Sequence, residues 1–240
     1  MTTFCATADA VVSYRHFCAP YYSSSASAPQ FIETSYISDP TAAFRFPPLP
    51  TSAKRISAFT LVKNCRANAR NSKVQSITSA LAAHGVAVDH FGRCTFNQNP
   101  AVTVAGVQLR TQECGQTAGH FVNPNHNPEK DCLLRYSKFH LAFENSQDER
   151  YATEKLWGAL KMGSVPIIWG DTAESLRPLL PHPRAAIFAD EFSSDTALAA
   201  YVAQVNRNDT LYDSYLEWKR QPFQPGFQQL VNIGLDRMMC

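Results

Sequence analysis

From about residue 55 to about residue 220, short apolar runs alternate with segments whose apolar residues recur at helical spacing. Short apolar runs are typical of buried strands, and recurrence every three to four residues is typical of amphipathic helices. The strands that this pattern predicts cover residues 56–62, 86–89, 139–143, 165–169 and 185–189. The helices that it predicts cover residues 71–84, 153–162, 173–180, 194–206 and 209–220.

This alternation predicts an α/β fold with a doubly wound, Rossmann-like parallel sheet. Residues 165–169 are apolar throughout, as expected for a parallel strand that helices cover on both faces. Sheets of this kind bind ligands beyond the carboxyl ends of their strands. The chain has neither a G-x-G-x-x-G dinucleotide motif nor a G-x-x-x-x-G-K-[ST] phosphate loop. The ligand must therefore be inferred from other residues.

Two regions interrupt the pattern. Before residue 55, only residues 10–13 suggest a strand, and residues 19–53 read as a linker because small residues are followed by Pro47, Pro48 and Pro50. Residues 92–132 are rich in Asn, Gln, Gly and Thr and predict mostly loop. The amino-terminal part is therefore expected to be reduced beside a larger α/β domain.

The composition excludes several classes of protein. Of the 240 residues, 45% are hydrophobic and 18% are charged, which suits a packed core and excludes wholesale disorder. No uncharged apolar run is long enough to cross a membrane. The net charge of +2 gives no reason to expect a nucleic-acid partner. Residues 41–110, however, hold nine basic side chains and one acid, which fits either a solvated basic face or a field that attracts a phosphate-bearing ligand.

The seven cysteines include no C-x-x-C pair, and their odd number leaves at least one thiol free or in an intermolecular bond. A zinc site would use Cys114, His120, His126 and Cys132. Their regular spacing matches no common zinc finger or ribbon. A loop with or without disulfides is the preferred interpretation, and no metal is expected.

The densest polar cluster, residues 144–155, follows the strand predicted over 139–143. It consists of a strand end, a polar loop and the start of a helix, whose amino end offers N–H groups and a partial positive charge. Lys155 lies in the first turn, where the helix dipole disfavours a cation. The lysine is easier to explain if an anion such as phosphate shares the site.

The residues around this cluster carry a family resemblance. The relevant segments are Phe139-His140-Leu141-Ala142-Phe143-Glu144-Asn145-Ser146, Tyr151-x-Thr153-Glu154-Lys155-Leu156-Trp157 and Val165-Pro166-Ile167-Ile168-Trp169-Gly170. Upstream, and in matching order, stand Lys63-Asn64-Cys65, Val88-Asp89 and Phe91-Gly92-Arg93-Cys94. Together they closely resemble the α1,3/α1,4-fucosyltransferases, from about residue 55 to residue 220.

The resemblance implies transfer of L-fucose from GDP-fucose to a hydroxyl of an N-acetylglucosamine-containing glycan, with inversion. It implies that the chain is similar to the carboxyl-terminal half of a two-domain GT-B glycosyltransferase, the half that holds the donor. Arg93 and Lys155 would hold the diphosphate, and Asn145 and Tyr151 would contact the nucleotide end. Glu154, the candidate catalytic residue, would contact the fucose and offset positive charge on its ring.

The same resemblance implies a glycan or glycoprotein acceptor, no metal or other cofactor, and a Golgi location, although no anchor or signal is visible in this chain. The chemistry is independently reasonable. Cations lower the cost of charge on a diphosphate leaving group, and a carboxylate stabilises an oxocarbenium-like centre.

The family's general base is a glutamate within a Glu-Ser-Pro run of the amino-terminal domain. The matching place here is Ser25-Ala26-Ser27-Ala28-Pro29, where Ser27 takes the position of the glutamate, and Glu33 is an alternative. Only about 50 residues precede the Rossmann-like part, where a full domain needs roughly 100. We therefore expect residues 1–53 to be a remnant of the acceptor domain with a linker, 54–222 the donor-binding domain, and 223–240 a tail.

Three hypotheses stay open from the sequence. The chain is a fucosyltransferase-type enzyme, a non-catalytic nucleotide-sugar-binding remnant, or an unrelated doubly wound protein that binds a small ligand. The short amino-terminal part fits a fragment, a truncated chain or a degenerate relative. The sequon Asn208-Asp209-Thr210 slightly favours the secretory pathway.

Overall fold

The apolar runs form a parallel sheet. The computed structural model describes residues 11–12, 41–92, 104–108, 114 and 128–236. Its strands are β1 (Val11–Val12), β2 (Ile56–Val62), β3 (Val88–Gly92), β4 (Ser137–Phe143), β5 (Tyr151–Ala152), β6 (Val165–Trp169) and β7 (Ile187–Phe188). Its α-helices are α1 (Asn68–Ala83), α2 (Val104–Gln108), α3 (Pro128–Tyr136), α4 (Glu154–Met162), α5 (Ala173–Leu176), α6 (Asp195–Arg207), α7 (Asp209–Ser214) and α8 (Pro225–Asp236). Short 3-10 turns cover Ala42–Arg45, Thr51–Ala53, Arg177–Leu179, Ala189–Glu191 and Glu217–Arg220.

Five strands form one sheet in the order β3-β2-β4-β6-β7, and every neighbouring pair is parallel. The predicted α/β class with a doubly wound, Rossmann-like sheet is confirmed. The two-residue strand β1 pairs in parallel with β5, outside the main sheet, within the region where residues 10–13 predicted a strand.

Helices cover both faces of the sheet, and buried apolar clusters lie on each face. On one face, α1 and α6 pack apolar residues such as Ile77 and Val202 against Phe139 and Ile167. On the other face, α4 and α8 contribute to a second core, and α3 to a third. Full burial of an aliphatic or aromatic side chain contributes roughly 1.5–3 kcal/mol, so these cores hold the strand ends in fixed positions.

The strand order reverses between β2 and β4. From β2 the chain crosses through α1 to β3 on one side, and from β4 it crosses through α4 to β6 on the other side. Such a reversal opens a crevice at the carboxyl ends of the two strands, because the helices that follow them lie on opposite faces. The polar cluster at residues 144–155 begins at this crevice.

Several element boundaries differ from the sequence predictions. The helix predicted over 209–220 is interrupted: α7 ends at Ser214, where the N–H of Tyr215 tightens the last turn, and a 3-10 turn follows. Residues 92–132 were expected to be mostly loop, but they contain α2 and the first turn of α3. The helix α8 was not predicted, although Pro225 suits the first turn of a helix and Phe227 is fully buried.

The segments expected to be linker and tail pack onto the α/β domain where the structure describes them. Phe44 is fully buried, and its ring meets that of Phe227 edge-on, with centroids 4.9 Å apart. The residues after 222 therefore include a core helix, because Phe227 and Val231 fill the space beside α4. The domain boundaries at 53 and 222 remain predictions.

Two lysines, Lys219, which is buried, and Lys54, which is half-buried, bind the 41–54 segment to the domain. The Nζ atom of Lys219 donates to the carbonyl of Phe44 at 2.9 Å. The Nζ atom of Lys54 donates to the carbonyls of Arg135 and Gly163, each at 2.7 Å. Burial is the main cause that lowers the pKa of each lysine to about 7, and neighbouring cations add to it. No helix among the described residues is both long and apolar enough to cross a bilayer.

Candidate functional site

Arg70, from the first turn of α1, joins the two strands that border the crevice. Its Nη1 atom donates to Oδ1 of Asn145 at 2.6 Å, and its Nη2 atom donates to the carbonyl of Asn64, just after β2. Its Nε atom donates to Oδ1 of Asn71 at 2.7 Å. Arg70 is only 2% exposed, so it is a structural bond across the crevice rather than a surface cation. It fixes the side chain of Asn145, a predicted donor contact.

Glu144, the first residue after β4, connects the loop to the start of α4. Its N–H donates to the carbonyl of Trp169 at 3.0 Å, and the residue is 3% exposed. Its carboxylate accepts hydrogen bonds from the N–H of Thr153 at 2.8 Å and from the Thr153 hydroxyl at 2.8 and 2.9 Å. Thr153 occupies the N-cap position of α4, but its hydroxyl binds Glu144 and caps no N–H of the helix.

The same carboxylate holds Lys155. The Nζ atom of Lys155 lies 2.7 Å from Oε2 of Glu144 and donates to the Thr153 hydroxyl at 2.7 Å. It lies 3.6 Å from Oε1 of Glu154. Burial alone would lower the pKa of Lys155, but the two carboxylates and the hydrogen bond to Glu144 outweigh it and raise the pKa. The anion that the sequence analysis expected beside Lys155 is thus, in part, the protein's own Glu144.

A second lysine lies beneath the start of α4. Lys130 of α3 is 8% exposed and donates to the carbonyl of Glu154 at 3.2 Å. Burial lowers its pKa, and the Glu154 carboxylate opposes that effect. The Glu154 side chain itself is 45% exposed. Its carboxylate is therefore accessible to a ligand, while its backbone is fixed from below.

Tyr151 stands at the far end of the loop, at the start of β5. Burial, followed by the charge of Glu144, raises the pKa of the Tyr151 phenol, which stays protonated at neutral pH and can donate a hydrogen bond. The residue before it, Arg150, has φ = 56°, a left-handed conformation, and its N–H donates to Asp171 at 2.5 Å. This bond fixes the turn that leads into Tyr151.

Close packing leaves room only for glycine at position 170. Gly170 has φ = 128°, and a Cβ there would lie 3.0 Å from Cβ of Glu144 and 3.1 Å from the carbonyl oxygen of Ser146. The end of β6 therefore shapes the loop that carries the candidate site.

A neighbouring cleft of about 840 Å³ lies at the carboxyl ends of β6 and β7. Its lining includes Gln147, Arg150, Trp169, Asp171 and Asp190. Of the predicted donor contacts, the four that the structure describes do not line this cleft. Its Asp171 and Asp190 carboxylates accept hydrogen bonds from backbone N–H groups. The cleft adjoins the candidate site but is not the same space.

The structure brings four of the five predicted donor residues into one loop-helix junction. Glu154 and Lys155 are adjacent in α4, and Asn145 and Tyr151 stand at the two ends of the loop that precedes it. Arg93 directly follows β3, which ends at the same edge of the sheet, but Arg93 itself lies outside the described residues. Ser27 and Glu33 also lie outside them.

The structure describes two of the four residues of the alternative zinc site, Cys114 and Cys132. Cys114 and Cys132 form a disulfide with a Cα–Cα distance of 5.4 Å, so these two sulfur atoms are not available as metal ligands. His120 and His126 lie outside the described residues.

Three residues of the junction were missed by sequence reasoning. Glu144 stood within the quoted motif but received no role. Arg70 was noted only as one of the nine basic residues between positions 41 and 110. Lys130 lay near the end of residues 92–132, which were predicted to be mostly loop. The position of Glu144 after a strand was the one signal that could have identified it.

Comparison with known proteins places this arrangement in a family. The sequence profile described as "Glycosyltransferase family 10 (fucosyltransferase) C-term" matches residues 51–240. Over 136 residues the chain is 36% identical to "GDP-fucose protein O-fucosyltransferase 3" of Xenopus laevis, covering 56% of this chain and 25% of that protein. Over 87 residues it is 45% identical to the Bos taurus protein of the same name, covering 36% of this chain and 18% of that protein. The chain thus spans about a quarter or less of the length of these curated relatives.

Solved structures share the fold. A crystal structure of an α1,3-fucosyltransferase superposes with a TM-score of 0.52 at 23% identity, covering 78% of this chain and 45% of that one. A crystal structure of α1,3-fucosyltransferase with GDP-fucose gives a TM-score of 0.50 at 21% identity, covering 78% of this chain and 48% of that one. These likenesses concern the fold alone. Because the family profile covers residues 51–240, the chain belongs to glycosyltransferase family 10, the fucosyltransferases.

Proposed function

We propose that this chain carries the GDP-fucose-binding part of a fucosyltransferase. The observation that carries the proposal is the loop-helix junction at the strand reversal, where Lys155 and Glu154 open α4 within a segment matched by the family profile. The amino end of α4 and the Lys155 ammonium together favour a diphosphate at this place. The names of the curated relatives point to the same donor.

The roles proposed for the side chains follow from their chemistry. Lys155 supplies a point charge to the diphosphate, and Arg93 supplies a second, bidentate contact. The protonated phenol of Tyr151 donates a hydrogen bond to the nucleotide, and Asn145, whose Oδ1 is held by Arg70, offers its amide N–H groups. The exposed carboxylate of Glu154 stabilises positive charge that develops on the fucose ring.

In the transfer step, the bond between C1 of fucose and the diphosphate oxygen breaks while the acceptor oxygen bonds to C1 from the opposite face. The electron pair of the broken bond leaves with GDP, where Lys155 and Arg93 stabilise it. The proton of the acceptor hydroxyl passes to a general base. Ser27 stands where the resemblance expects that base, and a serine brings no carboxylate to this step.

Two acceptor classes are proposed, each on its own observation. The motif resemblance favours an N-acetylglucosamine-containing glycan, whereas the curated relatives are named as protein O-fucosyltransferases. The Cys114–Cys132 disulfide and the sequon at Asn208 favour an oxidising secretory compartment, consistent with the Golgi location of the resemblance. A non-catalytic donor-binding remnant is the second candidate function, favoured by Ser27.

A two-stage experiment tests these proposals. Calorimetry with GDP-fucose comes first, and binding is the expected result; a chain that binds neither GDP nor GDP-fucose contradicts the proposal. Transfer assays with N-acetyllactosamine and with a folded protein acceptor follow. Turnover on either acceptor rejects the remnant and identifies the acceptor class, and binding without turnover on both supports the remnant.

A further inference from the structure

The buried carboxylate of Glu144 has a place in the site that neither the family motif nor the proposed donor contacts assign. It lies within hydrogen-bond distance of three groups at the start of α4: the Thr153 N–H, the Thr153 hydroxyl and the Lys155 ammonium. Its own backbone is fixed by the carbonyl of Trp169 and by the close approach of Gly170. A carboxylate so constrained can impose a position on the side chains that it binds.

We propose that Glu144 is a positioning residue for the donor site: it holds Lys155 charged and in place at the amino end of α4, ready for the diphosphate. The inference rests on the proposed function, because it assumes that Lys155 contacts the donor. Glu144 and Thr153 take two of the three N–H donors of the Lys155 ammonium. The third donor is nearest to Oε1 of Glu154, which at 3.6 Å is beyond hydrogen-bond distance, so among the described residues this donor can still serve a ligand.

Two other lysines of this chain show why a carboxylate is needed. Lys54 is half-buried and Lys219 is buried, both donate to backbone carbonyls, and burial lowers the pKa of each to about 7. Lys155 is also mostly buried, with 13% of its side chain exposed, but its pKa is raised because the carboxylates outweigh the burial. Glu144 is the nearer of the two carboxylates, at 2.7 Å against 3.6 Å for Glu154.

The groups that act on Lys155 come from several elements. Glu154 shares its helix, Tyr151 stands on β5, Lys130 on α3 and His140 on β4, besides Glu144 itself. Lys130 adds a like charge, and burial lowers the pKa of His140 well below its usual range, so His140 is neutral. With Glu144 removed, Glu154 is the remaining carboxylate of this set, and it is partly exposed to solvent.

The test compares Glu144→Gln, Glu144→Asp and Glu191→Gln in the full chain. Glu191→Gln is the matched control, because it makes the same acid-to-amide change in the Arg177–Glu191 ion pair, away from the loop that carries the site. The protonation of the Lys155 Nζ is followed by NMR of 15N-labelled lysine, with Lys155→Arg to assign the signal. GDP affinity is measured by calorimetry at pH 7.5 and 9.5 in the same samples.

In Glu144→Gln, the pKa of Lys155 should fall by on the order of one unit or more. The affinity for GDP should then fall more steeply between pH 7.5 and 9.5 than in the wild type, because a larger fraction of Lys155 is deprotonated at pH 9.5. Glu144→Asp keeps the negative charge but moves it farther from Lys155, so the pKa of Lys155 should fall by less than in Glu144→Gln. If Glu144→Gln does not fold, Glu144→Asp provides the test. Glu191→Gln should match the wild type.

The two readouts separate this inference from the proposed function. An unchanged Lys155 pKa in both Glu144 variants overturns the inference, whether or not GDP binds. A Lys155 pKa that falls while GDP affinity keeps its wild-type pH dependence overturns the donor contact of Lys155, on which the inference rests.

Discussion

The guanidinium of Arg70 and the side-chain carbonyl of Asn145 meet across the point where the strand order reverses, with Nη1 2.6 Å from Oδ1. Arg70 belongs to α1, on one face of the sheet, and Asn145 follows β4, which leads to α4 on the other face. This single contact therefore ties the two halves of the doubly wound sheet at the edge where the donor is proposed to bind.

We expect Arg70→Met to destabilise the chain by roughly 3 kcal/mol and to weaken GDP binding. The variant leaves the oxygen atoms of Asn64 and Asn145 without a buried donor, and each such loss costs about 1–3 kcal/mol. Urea unfolding and calorimetry measure the two effects. Arg66→Met, an exposed change in the loop just before α1, should leave stability within about 0.5 kcal/mol of the wild type. Equal stability losses in both variants would contradict this role for Arg70.

Gly170→Ala tests the packing behind Glu144. Gly170 and Gly85 both have positive φ, so alanine at either position should cost roughly 1–3 kcal/mol of backbone strain. A Cβ at 170 also presses on Glu144 and Ser146, whereas a Cβ at 85 meets nothing within 4 Å. We therefore expect only Gly170→Ala to weaken GDP binding. Similar GDP affinity in both variants would show that the loop tolerates the extra methyl group.

Stability should increase between pH 7 and pH 9. Lys54 and Lys219 have folded pKa values of about 7, below the usual 10.5, so the unfolded chain binds more protons across that interval. By linkage, each lysine then adds up to about 1.4 kcal/mol to the unfolding free energy per pH unit, and the gain disappears as the pH falls through 7. Urea unfolding at pH 7, 8 and 9 measures the slope.

Lys219→Met removes one of the two lysines and should reduce that slope by about half. Lys63→Met, an exposed lysine, is the control and should keep it. A wild-type stability that is flat or falls from pH 7 to pH 9 would contradict the burial of these two ammonium groups.

The parts of the fold that the sequence predicts well are those in which local pattern and tertiary environment agree. The predicted first and last residues of β2 and β6 match the structure. Each strand is a nearly continuous apolar run, as expected for a strand covered on both faces. The helix α8 was missed because Pro225 and Gly226 read as a turn. Its apolar face is evident only once Phe44 and Trp157 are known to surround Phe227.

The candidate site was predictable to the extent that it follows from motif and strand edge. Glu154 and Lys155 were placed correctly at the start of a helix, and Asn145 at the end of a strand. The contacts of Glu144 were not predictable, because they join residues nine and eleven positions apart through a loop with no periodicity. The sequence favoured an anion such as phosphate beside Lys155, whereas the fold shows that the carboxylate of Glu144 already lies there.

The affinity of Lys155→Met for GDP, compared with its affinity for guanosine, decides whether Lys155 binds the diphosphate. GDP affinity should fall by about 10- to 100-fold, the contribution of one charge-assisted hydrogen bond, while any affinity for guanosine is unchanged. Lys155→Arg, which keeps the positive charge, should recover part of the GDP affinity. If the wild type and Lys155→Met bind GDP equally well, or if guanosine loses as much affinity as GDP, then the diphosphate does not bind at the start of α4 and the account is wrong.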